Sequence, residues 1–555
     1  MSRTSLLSCL LAACLAVAPF THAGESTVLS AARIHTLDPA MPVVEALAFD
    51  ADGKILAVGD VASLRKQFPD AASLEFPDAT VVPGLIDAHG HLPNLGLFLQ
   101  RADLTGTASK AEIIARLLAF EKTLGKDDWL LGRGWDQNDW DIKEFPTAAD
   151  LDAAFPTRPV WIERIDGHAY WGNSAALKTS PRTLAGDWQP DGGQIVRDAK
   201  GQPTGIFVDN AIGLIEGQVP ALDDAGTERM LAAATQYAVA RGLTGVHDAG
   251  VSLQQLQALR RLADKQQLPL RVYAMADGDG AALDWVCKNG LYHHPGGRLD
   301  MRSLKLYADG ALGSRGAAMI EDYSDQHGHR GLMVTSADEL ERISRKAQGC
   351  GVQVGTHAIG DRGNRVVLDA YQKVLGDESA TLDHRWRIEH AQVVAVEDIP
   401  RFGKMHVIAA MQPTHATSDM PWAETRVGPE RIAGAYAWRQ MLDGGARLAL
   451  GSDFPVESVD PRLGLHAAVT RTDLDGKPPG GWRSQEKLTR EEALRGFTLD
   501  AAYAGFAEDD VGSLEVGKRA DFVVLGADPL AEDVPLATLP VKATYVDGKA
   551  VFEAQ

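Results

Sequence analysis

The stretch VVPGLIDAHGHLPNLG, residues 81–96, decides how this chain is read: an apolar run passes straight into His89-Gly90-His91. In an extended segment residues two apart point to the same side, so both imidazoles can face one ion, and Gly90 leaves room between them. The tripeptide alone is weak evidence, because 16 histidines among 555 residues give about half such a pair by chance. The chain supplies its own control in His327-Gly328-His329, the same tripeptide in a polar, Gly-rich stretch with no strand before it, which reads as a solvated loop. What sets the first pair apart is the strand before it and the series of strands after it.

Downstream, short β-rich runs alternate with amphipathic helical stretches, the pattern of parallel βα units. The runs are Leu85 to Ala88, Leu243 to His247, Arg271 to Met275, Ser303 to Ala308, Val352 to Thr356, Trp386 to Glu389, Val407 to Met411 and Arg447 to Leu450. Eight such strands point to an α/β fold, a TIM-type (β/α)8 barrel, whose catalytic groups sit where strands end. The gap between the first two runs is too long for one crossover helix, so an inserted subdomain is expected at about residues 130–230. Apolar runs around Asp52-Gly53 and Asp547-Gly548 have the chemistry of tight hairpins. Neither terminal segment can bury a core alone, so residues 24–82 and 506–555 are expected to pair into one small composite β-sandwich domain beside the barrel at 83–505.

Hydrophobic residues make up 45% and charged residues 23%, which excludes a disordered or fibrous chain. A formal net charge of -20 repels phosphate backbones and anionic headgroups, so nucleic acid is not an expected partner. Residues 1–23 carry Arg3, an apolar stretch from Leu6 to Phe20 and the small-residue pattern ending at Ala23, as in a cleavable secretory signal. The expected location is therefore the periplasm, without membrane insertion once the signal is removed. Lipid attachment at Cys14 is the alternative, ranked second because the apolar run continues past it. Cys9 and Cys14 lie in the signal, leaving Cys287 and Cys350, for which two buried thiols are favoured over a bridge. Oligomeric state stays open, a homo-oligomer included.

Several strands deliver a metal-capable or acid–base side chain near their ends: Lys305 in SLKLYADGALGSRG, His357 in VQVGTHAIGDRGN, His390 in RWRIEHAQ and Asp453 in RLALGSDFP. Any one alone reads better as a satisfied structural residue; the ordered set does not. With DAHGH, GWDQNDW, DGHAYWGNSAAL, GLTGVHDAG and QPTHATSDMPW, these stretches resemble the amidohydrolase superfamily, and within it the branch of N-substituted formamide deformylases.

The resemblance implies that His89, His91, His357, His390 and Asp453 are metal ligands, and that Lys305 is carboxylated and bridges two ions. A free ammonium has no lone pair, whereas its carbamate is an anionic oxygen ligand. Imidazole and carboxylate ligands favour two Zn ions, with Fe, Mn, Co or Ni able to occupy the same positions. The implied activity is hydrolysis of a non-peptide, amide-type C–N bond of a small molecule by metal-bound hydroxide, with Asp453 as proton shuttle. The expected substrate is a small amide with an apolar or aromatic N-substituent. His168 resembles a substrate-side residue that donates to the carbonyl oxygen, His415 and Asp419 are candidates for the pocket lining, and His247 for support or packing. Trp135, Trp140, Trp171 and Trp422 could form an aromatic wall, although a core role is the default for each.

Two other readings compete. A deaminase of the same superfamily places a Glu three residues after the fifth-strand histidine, where this chain has Gly360. A non-catalytic barrel serving as a binding protein would be expected to have lost Asp453, His390 or Lys305, and all three are present.

Overall fold

The computed structural model describes residues 26–165, 168–190, 193–376 and 379–554, so the signal segment lies outside the described residues. All eight expected runs are strands of one parallel sheet: β1 (Leu85–Gly90), β2 (Leu243–Val251), β3 (Arg271–Asp277), β4 (Leu299–Tyr307), β5 (Gln353–Ala358), β6 (Arg387–His390), β7 (Ile408–Met411) and β8 (Leu448–Leu450). They pair in chain order, each with its successor, as expected of strands buried on both faces. The circle is drawn together where β8 meets β1: Asp453 N–H donates to the His89 carbonyl at 2.7 Å and His91 N–H to the Phe454 carbonyl at 2.9 Å. Asp87, buried in β1, takes a 2.6 Å hydrogen bond from the Ser452 hydroxyl across the same seam. Gly451 permits this approach, since a Cβ there would stand 2.5 Å from the His89 nitrogen.

The terminal segments do share one sheet. Its seven strands run in the order Lys549–Glu553, Val541–Val546, Phe522–Leu525, Ala72–Pro83, Thr27–His35, Val43–Phe49 and Ile55–Gly59. Leu29, Leu47, Phe49, Val81, Phe522 and Tyr545 form its core. A second, six-stranded sheet is inserted between β1 and β2, with strands from Ala102–Asp103 through Pro203–Asp209. Trp135, Trp140 and Trp171 are buried in the core of this insertion. Their indole nitrogens are partly accounted for locally, Trp135 donating to the Ile162 carbonyl and Trp171 to the Thr147 carbonyl, both at 2.9 Å.

The expectation of two separate thiols is corrected: Cys287 and Cys350 form a disulfide. Docking of helix Ala281–Asn289 beside the end of helix Ala337–Gly349 brings residues 63 apart in sequence to a Cα separation of 5.0 Å. Among the described residues no helix is long and apolar enough to cross a membrane.

Candidate metal centre

The six expected side chains converge at the C-terminal mouth of the barrel. His89 and His91 come from the end of β1, and Asp453 follows β8, with its Oδ1 2.9 Å from His91 Nε2 and 3.5 Å from His89 Nε2. Lys305, 1% exposed near the end of β4, brings Nζ to 3.1 Å from His89 Nε2. The His390 ring, at the end of β6, lies 4.8 Å from that of His89 and 4.6 Å from that of His357 on β5. His390 and Asp453 hold φ values of 73° and 62°, a left-handed backbone that non-glycine residues adopt at a cost and that aims both side chains inward.

The candidate ligands are held from behind. His89 Nδ1 lies 2.5 Å from Glu389 Oε2, both side chains being fully buried. Glu389 is gripped in turn by Arg387, whose Nε is 2.8 Å from Oε1, and Arg387 Nη1 donates to His247 Nδ1 at 2.8 Å. His247 therefore belongs to the scaffold behind β1. His390 Nδ1 lies 2.8 Å from Gln412 Oε1, and Gln412 Nε2 is spent on the Ala410 carbonyl. An acceptor on Nδ1 fixes the tautomer whose Nε2 lone pair is free for a metal.

Burial sets the protonation states. It pushes His89 and His390 well below the ordinary imidazole value and, helped by Lys305, brings His357 down to about 4. These imidazoles are neutral at neutral pH, the state that ligates. Burial also lowers Lys305 to about 8, against the pull of Glu389 and Asp453. For Asp453 burial acts upward, but His91, His89 and His415 outweigh it and keep the carboxyl ionised.

The residues fit a divalent metal. His89, His91 and Asp453 offer donor atoms within 4.8 Å of one another, as do His390, His415 and Asp453. His357 Nε2 and His415 Nε2 are buried with no hydrogen-bond partner among the described residues, a cost that a cation would remove. The cluster lies against a cavity of about 410 Å³ that Leu312, Ile359, Trp422, Asp419 and Glu457 also line. His415 and Asp419 thus reach the pocket, as expected. His168 is placed elsewhere: it is exposed beside strand Ala169–Gly172, with Nδ1 2.8 Å from Asp209 Oδ1, and is not among the residues lining this cavity.

Glu389 and Gln412 escape a reading of the sequence. Glu389 stands in RIEHAQ one residue before a singled-out histidine, and only its alternation with Arg387 hints that two charges share the barrel's inward side. Gln412 directly follows β7, a strand-end position like those of the candidate ligands.

Comparison with known proteins agrees with this geometry. The sequence pattern of the amidohydrolase family matches residues 78–552. The chain is 34% identical to YtcJ of Bacillus subtilis, covering 90% of this chain and 95% of that protein. It is 28% identical to an N-substituted formamide deformylase of Arthrobacter pascens, over 94% of this chain and 97% of that one. The structure of an uncharacterized metal-dependent hydrolase from Pyrococcus horikoshii superimposes with a TM-score of 0.77 at 28% identity, covering 93% of this chain and 99% of that one. With the family pattern spanning most of its length, the chain belongs to the amidohydrolase family.

Proposed function

We propose that the protein is a metal-dependent hydrolase that cleaves a non-peptide, amide-type C–N bond of a small molecule. The observation that carries this reading is the convergence of three neutral imidazoles, His91, Lys305 and an ionised Asp453 on one end of a cavity. Divalent ions bound by His89, His91, Lys305, His357, His390 and Asp453, zinc by preference, would acidify water and polarise a carbonyl there. Asp453 accepts a proton from the attacking water and passes it to the leaving nitrogen, so that the C–N bond breaks as a C–O bond forms and an amine departs. His415 Nε2 lies 3.6 Å from Asp453 Oδ2, close enough to favour the ionised carboxylate. The buried Lys305, with its amine brought toward neutrality, is suited to add carbon dioxide and become the anionic oxygen ligand of a two-ion site.

Gly360 argues against deamination. A Cβ at that position would lie 2.0 Å from the Ala318 carbonyl oxygen, so no acid can stand there. The next residue, Asp361, is committed to the Ile320 N–H at 2.7 Å. Export with removal of residues 1–23 is part of the same proposal and rests on the N-terminal sequence.

The test is metal analysis of the purified mature protein with a hydrolysis screen over N-formyl, N-acetyl, cyclic-imide and carbamate substrates, reading amine release. Amine release that requires metal supports the proposal. Ammonia released only from aminopyrimidines would replace it with deamination, and a folded, inert protein that takes up no metal would replace it with a binding role.

A further inference from the structure

We infer that the cavity selects amides whose N-substituent ends in an ammonium or a similarly donor-rich cation, seated on Gln392, Asp419 and Glu457 beside Trp422. The inference rests on the hydrolytic reading above and adds the charge of the substrate to it. Asp419 Oδ2 accepts hydrogen bonds from Tyr436 Oη at 2.7 Å and from Gln392 Nε2 at 2.8 Å, while its Oδ1 has no partner among the described residues. Glu457 repeats the arrangement: Oε1 takes the Ser418 hydroxyl at 2.6 Å and Oε2 takes no hydrogen bond among the described residues. Gln392 is 5% exposed, and its Nε2 also reaches Tyr436 Oη at 2.9 Å. Because a carboxylate only accepts, this amide cannot be flipped, and Gln392 Oε1 is left without a partner among the described residues.

Three residues of the cavity wall thus keep an acceptor oxygen open, each side chain tethered through its other polar atom. An ammonium carries three N–H donors and no acceptor, and it matches such a set. Charge points the same way. Among the described residues the one lysine lining the cavity is Lys305, which is bound into the histidine cluster, and no arginine lines it. Arg426, near the Trp422 ring, is paired with Asp325. A substrate carboxylate would find two acids and no counter-charge on this wall. Burial already pushes the Asp419 carboxyl upward, a penalty that an incoming cation relieves. Leu312, Ile359, Val456 and Trp422 offer apolar surface for the methylenes between the amide and the charge, so the apolar N-substituent becomes a stem with a charged end.

The experiment compares three formamides of one length, mono-N-formyl-1,5-diaminopentane, N-formylpentylamine and 5-formamidopentanoate, on the metal-loaded protein and on Glu457→Gln and Asp419→Asn. The cationic substrate should exceed the neutral one in kcat/KM by about tenfold or more, the worth of one charge-assisted hydrogen bond, with the anion slowest. Each substitution should pull the cation-to-neutral ratio toward one. A neutral substrate turned over as well as the cation would overturn the inference and leave the hydrolytic reading intact. If none of the three is turned over, calorimetry decides: 1,5-diaminopentane should bind wild-type protein more tightly than pentylamine does, and lose that margin in Glu457→Gln. Equal binding of the two amines would overturn the cation site.

Discussion

Glu389 and His89 sit at the centre of the barrel mouth with no solvent contact, Oε2 2.5 Å from Nδ1, so one carboxylate sets which nitrogen of His89 faces the cavity. Replacing the carboxylate by an amide lets the ring take either tautomer and removes the charge that balances Arg387. Glu389→Gln is therefore expected to weaken metal affinity by roughly 10–100-fold, the usual effect of losing such a supporting partner. Competition with a chromophoric chelator measures it, and unchanged affinity would show that Glu389 only packs.

In the proposed mechanism Asp453 supplies both a ligand oxygen and the proton path. Asp453→Asn keeps the shape of the side chain and removes its basicity, so kcat should fall by about 10²–10⁴-fold. Circular dichroism should show an unchanged fold. Activity within a few-fold of wild type would remove Asp453 from the chemistry.

The seam between β8 and β1 has space for a glycine and nothing larger. A Cβ at position 451 would stand 2.5 Å from the His89 nitrogen and 2.6 Å from Asp87 Oδ1. The His89 backbone cannot yield without displacing the histidine cluster. Gly451→Ala should cost about 1–3 kcal/mol of stability and reduce metal binding together with it. Denaturant titration with and without metal separates the two effects, and a wild-type midpoint would contradict the account of closure.

Acid should protonate His357, at about pH 4, before it loosens the small sheet from the barrel. Burial acts to raise the Asp547 carboxyl, but Arg271, Arg298 and Arg519 outweigh it and hold it below its ordinary value. A depressed carboxyl stabilises the fold fully above its unfolded value of about 3.9, and that contribution is lost as pH falls through the folded value. Asp547→Asn should remove about 2–3 kcal/mol at neutral pH and flatten the acid limb of the stability profile. Asn tolerates the left-handed φ of 51° at this position, so the change isolates the charge. An acid limb identical to that of wild type would refute the assignment.

Much of this architecture was legible because local chemistry dictates it. The barrel strands are near-continuous apolar runs, and the candidate ligands sit at their ends, where a barrel carries its chemistry. Asp547-Gly548 announces its hairpin through residue type, and both residues do take positive φ, 51° and 68°. Thr489 and Glu492 likewise form the capping box that their spacing implies. What stayed hidden depends on long-range docking. Glu389 matters because β6 places it against a histidine 300 residues earlier, and Cys287 meets Cys350 only after two helices pack. His168 carries a suggestive motif, but it stands just before strand Ala169–Gly172 of the inserted sheet and is not among the residues lining the cavity, a matter of tertiary geometry that no local pattern encodes.

The most direct test of the metal centre is the metal content of the protein after reconstitution, measured by elemental analysis for wild type, Lys305→Ala and His390→Ala. About two divalent ions per chain are expected in wild type, with fewer in each variant while circular dichroism stays unchanged. A wild-type protein that folds and retains no metal, or variants that retain as much as wild type, would contradict the claim that these side chains hold the reacting centre.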